Sequence, residues 1–398
     1  MKFLRSLLLI PALLLALSFS TEAQIAVKGE TVYTMAGDPI SNGVVLIKDG
    51  KIERVGSASQ VNIPSNYEVY EAKVVTPGLI DAHSVVGLAG HLNVDADQDQ
   101  LETSNPIQPE LRAIDAYNAR EALVGHLRDH GITTVHTGHG PGALISGQTM
   151  ITKTTGDNVD DNLIHPSKML AFTLGNNISG AFSKPGTRAK AIAMMRQELI
   201  KAQAYLEKRN SDEDYSKDLG MEALADLLEG EITALVTVHR AHDIMSAIRL
   251  QEEFGFPMVL DGVAEAYLII DEIKERGYSV IIHPSMIRPG GDAKNASMET
   301  AAKLFEAGIP IAFQSGFEGY VPKTRVVLFE AGVAAANGLG MENALKVLTI
   351  DAAELLGIDD RVGSLEAGKD ADVVMFDGDP LEYITNVTGV FINGEKVK

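Results

Sequence analysis

Between about Val74 and Ile358 a short apolar run repeatedly gives way to a longer amphipathic one, and that alternation constrains the fold more than any other feature of the chain. The short runs are Ile132–His136, Thr149–Lys153, Met169–Leu174, Ala234–His239, Pro257–Asp261, Ser279–His283 and Ile309–Ser315, and with Leu79-Ile80 at their head they number eight. Helical stretches fall at Lys190–Lys208, Met221–Glu229, Ala241–Phe254, Ala264–Arg276, Met298–Ala307, Arg325–Asn337 and Glu342–Leu356. Strands alternating with helices over such a length predict an α/β protein of the TIM-type (β/α)8 barrel class. The alternative is a doubly wound open sheet, which would want a glycine-rich phosphate turn opening a helix. Gly138-His139-Gly140-Pro141-Gly142 is the nearest approach, and no Lys-Ser/Thr pair or helix start follows it.

Both flanks of this region read as β. Ile25–Lys28, Thr31–Thr34 and Gly43–Ile47 are rich in β-branched residues, and Asn42-Gly43 and Asp49-Gly50 are turn pairs that punctuate them. Lys51–Gly56 alternates polar and apolar as a half-buried strand should. At the other end, Val373–Phe376 and a hairpin around Asn393-Gly394 have the same texture. Neither flank alone supplies enough strands for a core. We therefore expect a small composite β-sandwich built from residues 24–73 and 359–398, beside a barrel spanning 74–358. Residues 1–23 read as a secretory signal peptide. Lys2 and Arg5 precede an apolar run from Leu7 to Phe19, and Thr21-Glu22-Ala23 offers a cleavage site before Gln24. The expected location is the periplasm or the exterior, with no membrane attachment after cleavage.

The formal charge of −20 argues against nucleic acid or an anionic lipid surface as partner. With no cysteine, thiolate nucleophiles, disulfides and Cys-ligated zinc are excluded.

In a (β/α)8 barrel the chemistry lies at the carboxyl ends of the strands. The first of these carries Val74-Val75-Thr76-Pro77-Gly78-Leu79-Ile80-Asp81-Ala82-His83, which resembles the metal-binding signature of the amidohydrolase superfamily. The stretches GQTMITKTTG, KPGTRAKAIAMMR, RAHDIMSAIRLQEEFGF and IDDRVGSLEAGKDADVV extend the likeness over most of the chain, most closely to the exported, imidazolonepropionase-like branch. The resemblance implies a hydrolase of non-peptide C–N bonds in a cyclic amide or imidazolone, with a divalent metal as cofactor. Its ligands would be His-x-His after strand 1, a carboxylated Lys or a Glu after strand 4, His after strands 5 and 6, and Asp after strand 8.

Carried over position by position, that ligand set is degenerate. His83 keeps the first place, but Val85 stands at the second, Thr237 at the strand 5 histidine, Gly262 at the strand 6 histidine and Gly316 at the aspartate. Leu174–Ser179 offers no Lys or Glu after strand 4. One imidazole does not hold a catalytic zinc, which takes about three protein ligands and an open water position. Without the metal, a water molecule keeps a pKa near ~15.7 instead of ~7. Two routes would restore chemistry. One is a rewired metal site from His83, His136, His239 and His283, each at a strand end; the other is metal-free acid–base work by Asp261 or Glu318 beside a histidine. The acidic run Asp95–Glu102 reads as a solvated lid because it lacks the glycine and spacing of a calcium loop. Two expectations for function follow: a C–N hydrolase of doubtful activity, or an inactive homologue that binds a small ligand or supports a metal-bearing sibling. For the cofactor we expect none, or substoichiometric zinc. For assembly we expect a homo-oligomer, or a hetero-oligomer with that sibling.

Overall fold

The computed structural model describes residues 24–398 except 93, 176, 177, 179, 212–214, 283–288 and 317–325. The expected signal peptide, His283 and Glu318 therefore lie outside the described residues.

At the amino end β1 (Ile25–Val32) pairs antiparallel with β2 (Ile40–Lys48), and β2 turns into β3 (Lys51–Ser57). That turn is Asp49-Gly50, both at positive φ (52° and 75°), as a tight hairpin matched to strand twist requires. β4 (Glu68–Pro77) runs parallel to β1 and leads through Gly78 into β5 (Leu79–Ser84). Next come α1 (Ala122–Asp129), β6 (Ile132–Thr137), β7 (Ile145–Gln148), β8 (Met150–Lys153) and β9 (Leu163–His165).

From there strand and helix alternate. The order is β10 (Met169–Thr173), α2 (Arg188–Asn210), α3 (Leu219–Glu229), β11 (Thr233–Val238), α4 (Ala241–Phe254), β12 (Met258–Gly262), α5 (Ile270–Glu275), β13 (Ser279–Ile282), α6 (Thr300–Glu306) and β14 (Ile311–Phe313). Three helices follow, α7 (Val327–Ala334), α8 (Met341–Val347) and α9 (Ile350–Leu356). The chain ends in β15 (Val373–Phe376), β16 (Val387–Ile392) and β17 (Glu395–Lys396).

The two flanks share one seven-stranded sheet, ordered β17-β16-β15-β4-β1-β2-β3, in which β4 and β15 pair antiparallel across the junction. The central strands form a six-stranded sheet, β14-β13-β12-β11-β10-β7, and a four-stranded one, β5-β6-β8-β9. Strands β10 to β14 are parallel, as their crossover helices dictate. β8 departs from the expected pattern and runs antiparallel to β6, because the connection between them holds β7 and no crossover helix. The two sheets touch at two places. Ser84 bridges to Gly316 beside β14, and Thr149 exchanges backbone hydrogen bonds with Lys168 and Met169 at 2.7 and 2.8 Å.

One face of these strands gathers an apolar layer of Ile80, Ile151, Met169, Leu235, Val259, Ile281 and Ala312, closed below by Ala352, Ala353 and Leu356 of α9. The opposite face packs on the helices; Ile244, Ala247, Ile248 and Leu250 are the buried positions of α4. The stretch Glu342–Leu356, expected as one helix, is two. Thr349 breaks it, its hydroxyl bonded back to the Leu345 carbonyl at 2.6 Å and its backbone non-helical (φ −129°, ψ −94°). The expected helix Ala264–Arg276 keeps only α5 and a short 3-10 turn at Ala266–Leu268. Among the described residues no helix is long and apolar enough to cross a membrane.

Candidate functional site

Side chains two apart on a strand share a face, so one pleat beyond the apolar layer the same strands present polar groups. Leu235 is followed by Thr237, Val259 by Asp261 and Ala312 by Gln314, all buried. Thr237 and Asp261 are register partners on adjacent parallel strands. The Thr237 hydroxyl donates to Asp261 Oδ2 at 2.5 Å, and Gln314 Nε2 donates to Oδ1 at 2.5 Å. On β5 the pairing with β6 is irregular between Asp81 and Ser84, and His83 Nδ1 reaches within 3.3 Å of Asp261 Oδ1. Four strands thus deliver His83, Thr237, Asp261 and Gln314 to one point. Asp81 ties β5 to β14: its Oδ1 accepts from the backbone N–H groups of Ser315 (3.0 Å) and His83 (3.3 Å). Burial pushes the Asp81 carboxyl up to about 6 against those hydrogen bonds, and its Oδ2 has no partner among the described residues.

His136 lies beside His83, with ring centroids 5.9 Å apart. Its Nδ1 is 2.7 Å from the Ala82 carbonyl, which only accepts, so Nδ1 carries the proton. Nε2 then accepts from Thr149 Oγ1 at 2.6 Å. As placed, His136 has no lone pair left for a metal. Burial, aided by the neighbouring His83, depresses it to about 3. His239 packs against the end of β12, where a Cβ on Gly262 would meet its Cε1 at 2.7 Å. Gly262 and Val263 both have positive φ, 83° and 48°. A β-branched residue there is a genuine outlier, and such strain gathers at functional sites. His139 is buried over Gly147, and neither ring nitrogen has a hydrogen-bond partner among the described residues. Burial alone lowers it to about 4. His91 faces Glu121 at 3.0 Å, and His242 lies on α4, 3.4 Å from Asp243.

These residues do not fit the metal that the resemblance implies. Val85 has no donor atom, the Thr237 hydroxyl is committed to Asp261, and Gly262 and Gly316 have no side chain. Among the described residues no three His, Asp or Glu side chains converge on a point where an ion could sit. The sequence alone singles out Asp261 and Thr237. It does not single out Gln314, for which the one signal is its place two residues after Ala312 in an apolar run.

The buried neutral histidines give the fold a defined acid sensitivity. His136 and His139 hold their protons less tightly than an ordinary imidazole of pKa 6.5, so the unfolded chain takes up protons first as the pH falls. Their contribution is complete above pH 6.5 and is lost progressively towards about 4 for His139 and about 3 for His136. For His139 the loss is on the order of 3 kcal/mol. Urea midpoints measured from pH 7 to 4 should fall steadily, and less steeply in His139→Gln. Identical slopes in the two proteins would show that His139 does not contribute.

Known proteins similar in sequence and fold place this chain in a family. The sequence pattern described as "Amidohydrolase family" matches residues 321–397. The chain is 23% identical over 388 residues to "Amidohydrolase tasK" of Hapsidospora irregularis, covering 88% of this chain but 39% of that longer protein. It is 24% identical over 409 residues to "Imidazolonepropionase" of Fusobacterium nucleatum, covering 90% of this chain and 92% of the relative. Among solved structures, an amidohydrolase from Thermotoga maritima MSB8 superposes with a TM-score of 0.89 at 30% identity, covering 94% of this chain and 99% of the other. With that identity sustained over nearly the full length of both chains, this protein belongs to the amidohydrolase family.

Proposed function

We propose that this amidohydrolase-family protein binds a small polar molecule of the cyclic amide or imidazolone type at its strand ends and does not hydrolyse it through a metal ion. The observation that carries this reading is the Asp261 carboxylate, held by Thr237 and Gln314 at 2.5 Å and faced by His83 at 3.3 Å. Three of the family's ligand-bearing strand ends are thereby joined in one hydrogen-bonded network. A metal-bound water would be the nucleophile of the family reaction. The groups around Asp261 can bind amide N–H and C=O functions but supply no metal to activate water.

The reading assumes the fold the family implies. We take β5, β6, β8 and β10 to β14 as one closed barrel, supported by the Ser84–Gly316 bridge, the Thr149 backbone hydrogen bonds and the apolar layer that both sheets share. Residues 24–73 and 359–398 are then the accessory β unit, and the pattern of residues 1–23 supports export. Amino-terminal sequencing of the secreted protein, starting at Gln24, would test that last point.

The central test combines three measurements on protein purified without chelator: metal per chain by elemental analysis, binding of imidazolone propionate and hydantoins by calorimetry, and hydrolysis by mass spectrometry. We expect well under one metal ion per chain, saturable binding, and no turnover. One or more ions per chain, with turnover abolished by a chelator, would overturn the proposal. The His83–Asp261 contact favours one second reading, in which His83 acts as a metal-free general base oriented by Asp261. Turnover that survives chelation and disappears in Asp261→Asn would select it.

A further inference from the structure

Outside the strand-end network, one cavity combines a defined shape with an unusual charge. It lies between α2 and α4 and has a volume of about 410 Å³. Arg188, Ile192 and Arg196 line it from α2, and His242, Ser246 and Arg249 from α4. Each set follows the three- and four-residue spacing of one helix face. At its inner end lie Leu174 and Gly175, just past β10.

The acids at that inner end are already matched. Arg188 Nε donates to both oxygens of Asp243, at 2.9 and 3.0 Å, and its Nη2 lies 3.4 Å from Asp292. Arg240 Nε lies 2.8 Å from the same Asp292 oxygen. Gly175 makes room for this cluster, since a Cβ there would lie 2.8 Å from Asp292 Oδ2 and 3.1 Å from Asp243 Oδ2. Two buried carboxylates thus face two guanidinium groups that are held in place.

The outer part of the cavity is not balanced in this way. Arg196 holds Glu253 through Nε, at 2.7 and 2.8 Å, and its two terminal nitrogens have no hydrogen-bond partner among the described residues. Arg249 is bonded to the Ser246 hydroxyl at 2.8 Å and has no carboxylate partner among the described residues. One cavity is thus lined by a guanidinium with no carboxylate partner among the described residues and by a second one with spare donors, in a chain of formal charge −20. The planar guanidinium fork matches the oxygens of a carboxylate or phosphate, with charge-assisted hydrogen bonds.

From this we infer that the α2–α4 cavity is a binding site for a small oxyanion-bearing molecule, with Arg196 and Arg249 holding the anion and Arg188 fixed behind them by Asp243 and Asp292. The site shares no side chain with the Asp261 network, so it stands or falls apart from the function proposed above.

The test uses the purified chain, titrated by calorimetry with sodium phosphate and separately with sodium succinate, each against sodium chloride of equal ionic strength. We expect saturable one-site binding of at least one anion, weakened about tenfold or more in Arg249→Gln, since a charge-assisted pair is lost. Binding of phosphate alone identifies a phosphate-bearing ligand, and binding of succinate identifies a carboxylate. Arg249 is exposed, so the variant should melt in chloride at the wild-type temperature; Arg196→Gln provides a second, independent substitution at the same cavity. The inference is overturned if neither anion saturates beyond the chloride control, or if both variants bind as tightly as the wild type.

Discussion

Replacing Lys153 by alanine is expected to destabilise the protein by about 3–5 kcal/mol, the range for removing one partner of a buried ion pair. Lys153 ends β8 and is only 1% exposed. Its Nζ donates to Asp370 Oδ2 at 2.8 Å, to Asp372 Oδ1 at 2.9 Å, and to the side-chain oxygen of Asn393. One ammonium thereby joins a central strand to the carboxyl-terminal segments that complete the accessory sheet. Asp370 keeps Lys51 and Arg361 as partners, but Asp372 is buried and has no other cation within ion-pair distance among the described residues. Burial alone would raise the Asp370 carboxyl, yet the hydrogen bonds from Lys153 and Lys51 overrule it and hold it at about 2. Lys153→Met should be nearly as destabilised as Lys153→Ala, because the lost charge outweighs the lost volume. Combining Lys153→Met with Asp372→Asn should recover part of the loss. Urea unfolding measures all three, and a Lys153→Ala protein within about 1 kcal/mol of wild type would contradict this account.

The second large effect concerns installing the ligands that the sequence resemblance implies. The combined variant Val85→His, Thr237→His, Gly262→His and Gly316→Asp is expected to lose stability and to gain no zinc site. Gly262 and Gly316 have φ of 83° and 89°, where a side chain is strained by roughly 1–2 kcal/mol at each position. At Gly262 the new Cβ would also stand 2.7 Å from His239 Cε1. Thr237→His withdraws a donor from the buried Asp261 carboxylate, adding about 1–3 kcal/mol. These contributions sum to a loss of several kcal/mol. Calorimetric zinc titration with thermal melts checks this; a folded variant that takes up one zinc with a raised melting temperature would sink it. Two single variants separate the causes. Val85→His meets neither obstacle and should fold, while Gly262→Ala alone should already show the backbone strain.

Much of the fold was legible because burial imposes short periods on sequence. Leu235, Val259 and Ala312 mark the inward face of their strands, and a step of two residues from each reaches Thr237, Asp261 and Gln314. Helix α4 was read to its exact ends because Gly255, at φ 79°, stops it in a left-handed cap. The unread parts depended on partners distant in sequence. A lysine closing an apolar run looks like an exit to solvent, and nothing near Lys153 announces Asp370 and Asp372. Strands β7 and β9 are too short to carry a period of their own. The left-handed Val263 is invisible in sequence, since its conformation is set by backbone bonds to Val238 and Asp261 and not by its residue type. The break at Thr349 was readable in principle, because a threonine inside a helical run can bond back to its own turn.

The pairing of β4 with β15 has a consequence for how the chain comes into being. Val74 lies opposite Phe376 and Pro77 opposite Val373, so one edge of β4 finds its partner only after the ribosome has passed Phe376. At ribosomal rates of roughly 5–20 residues per second, that edge waits on the order of tens of seconds with its N–H and C=O groups unclaimed. An open strand edge is a template for any other extended segment, including those of neighbouring nascent chains. The amino-terminal strands therefore cannot reach their native sheet until β15 has been made, however early they emerge. The hazardous interval belongs to the order of synthesis, and a transcript truncated before residue 373 would prolong it indefinitely.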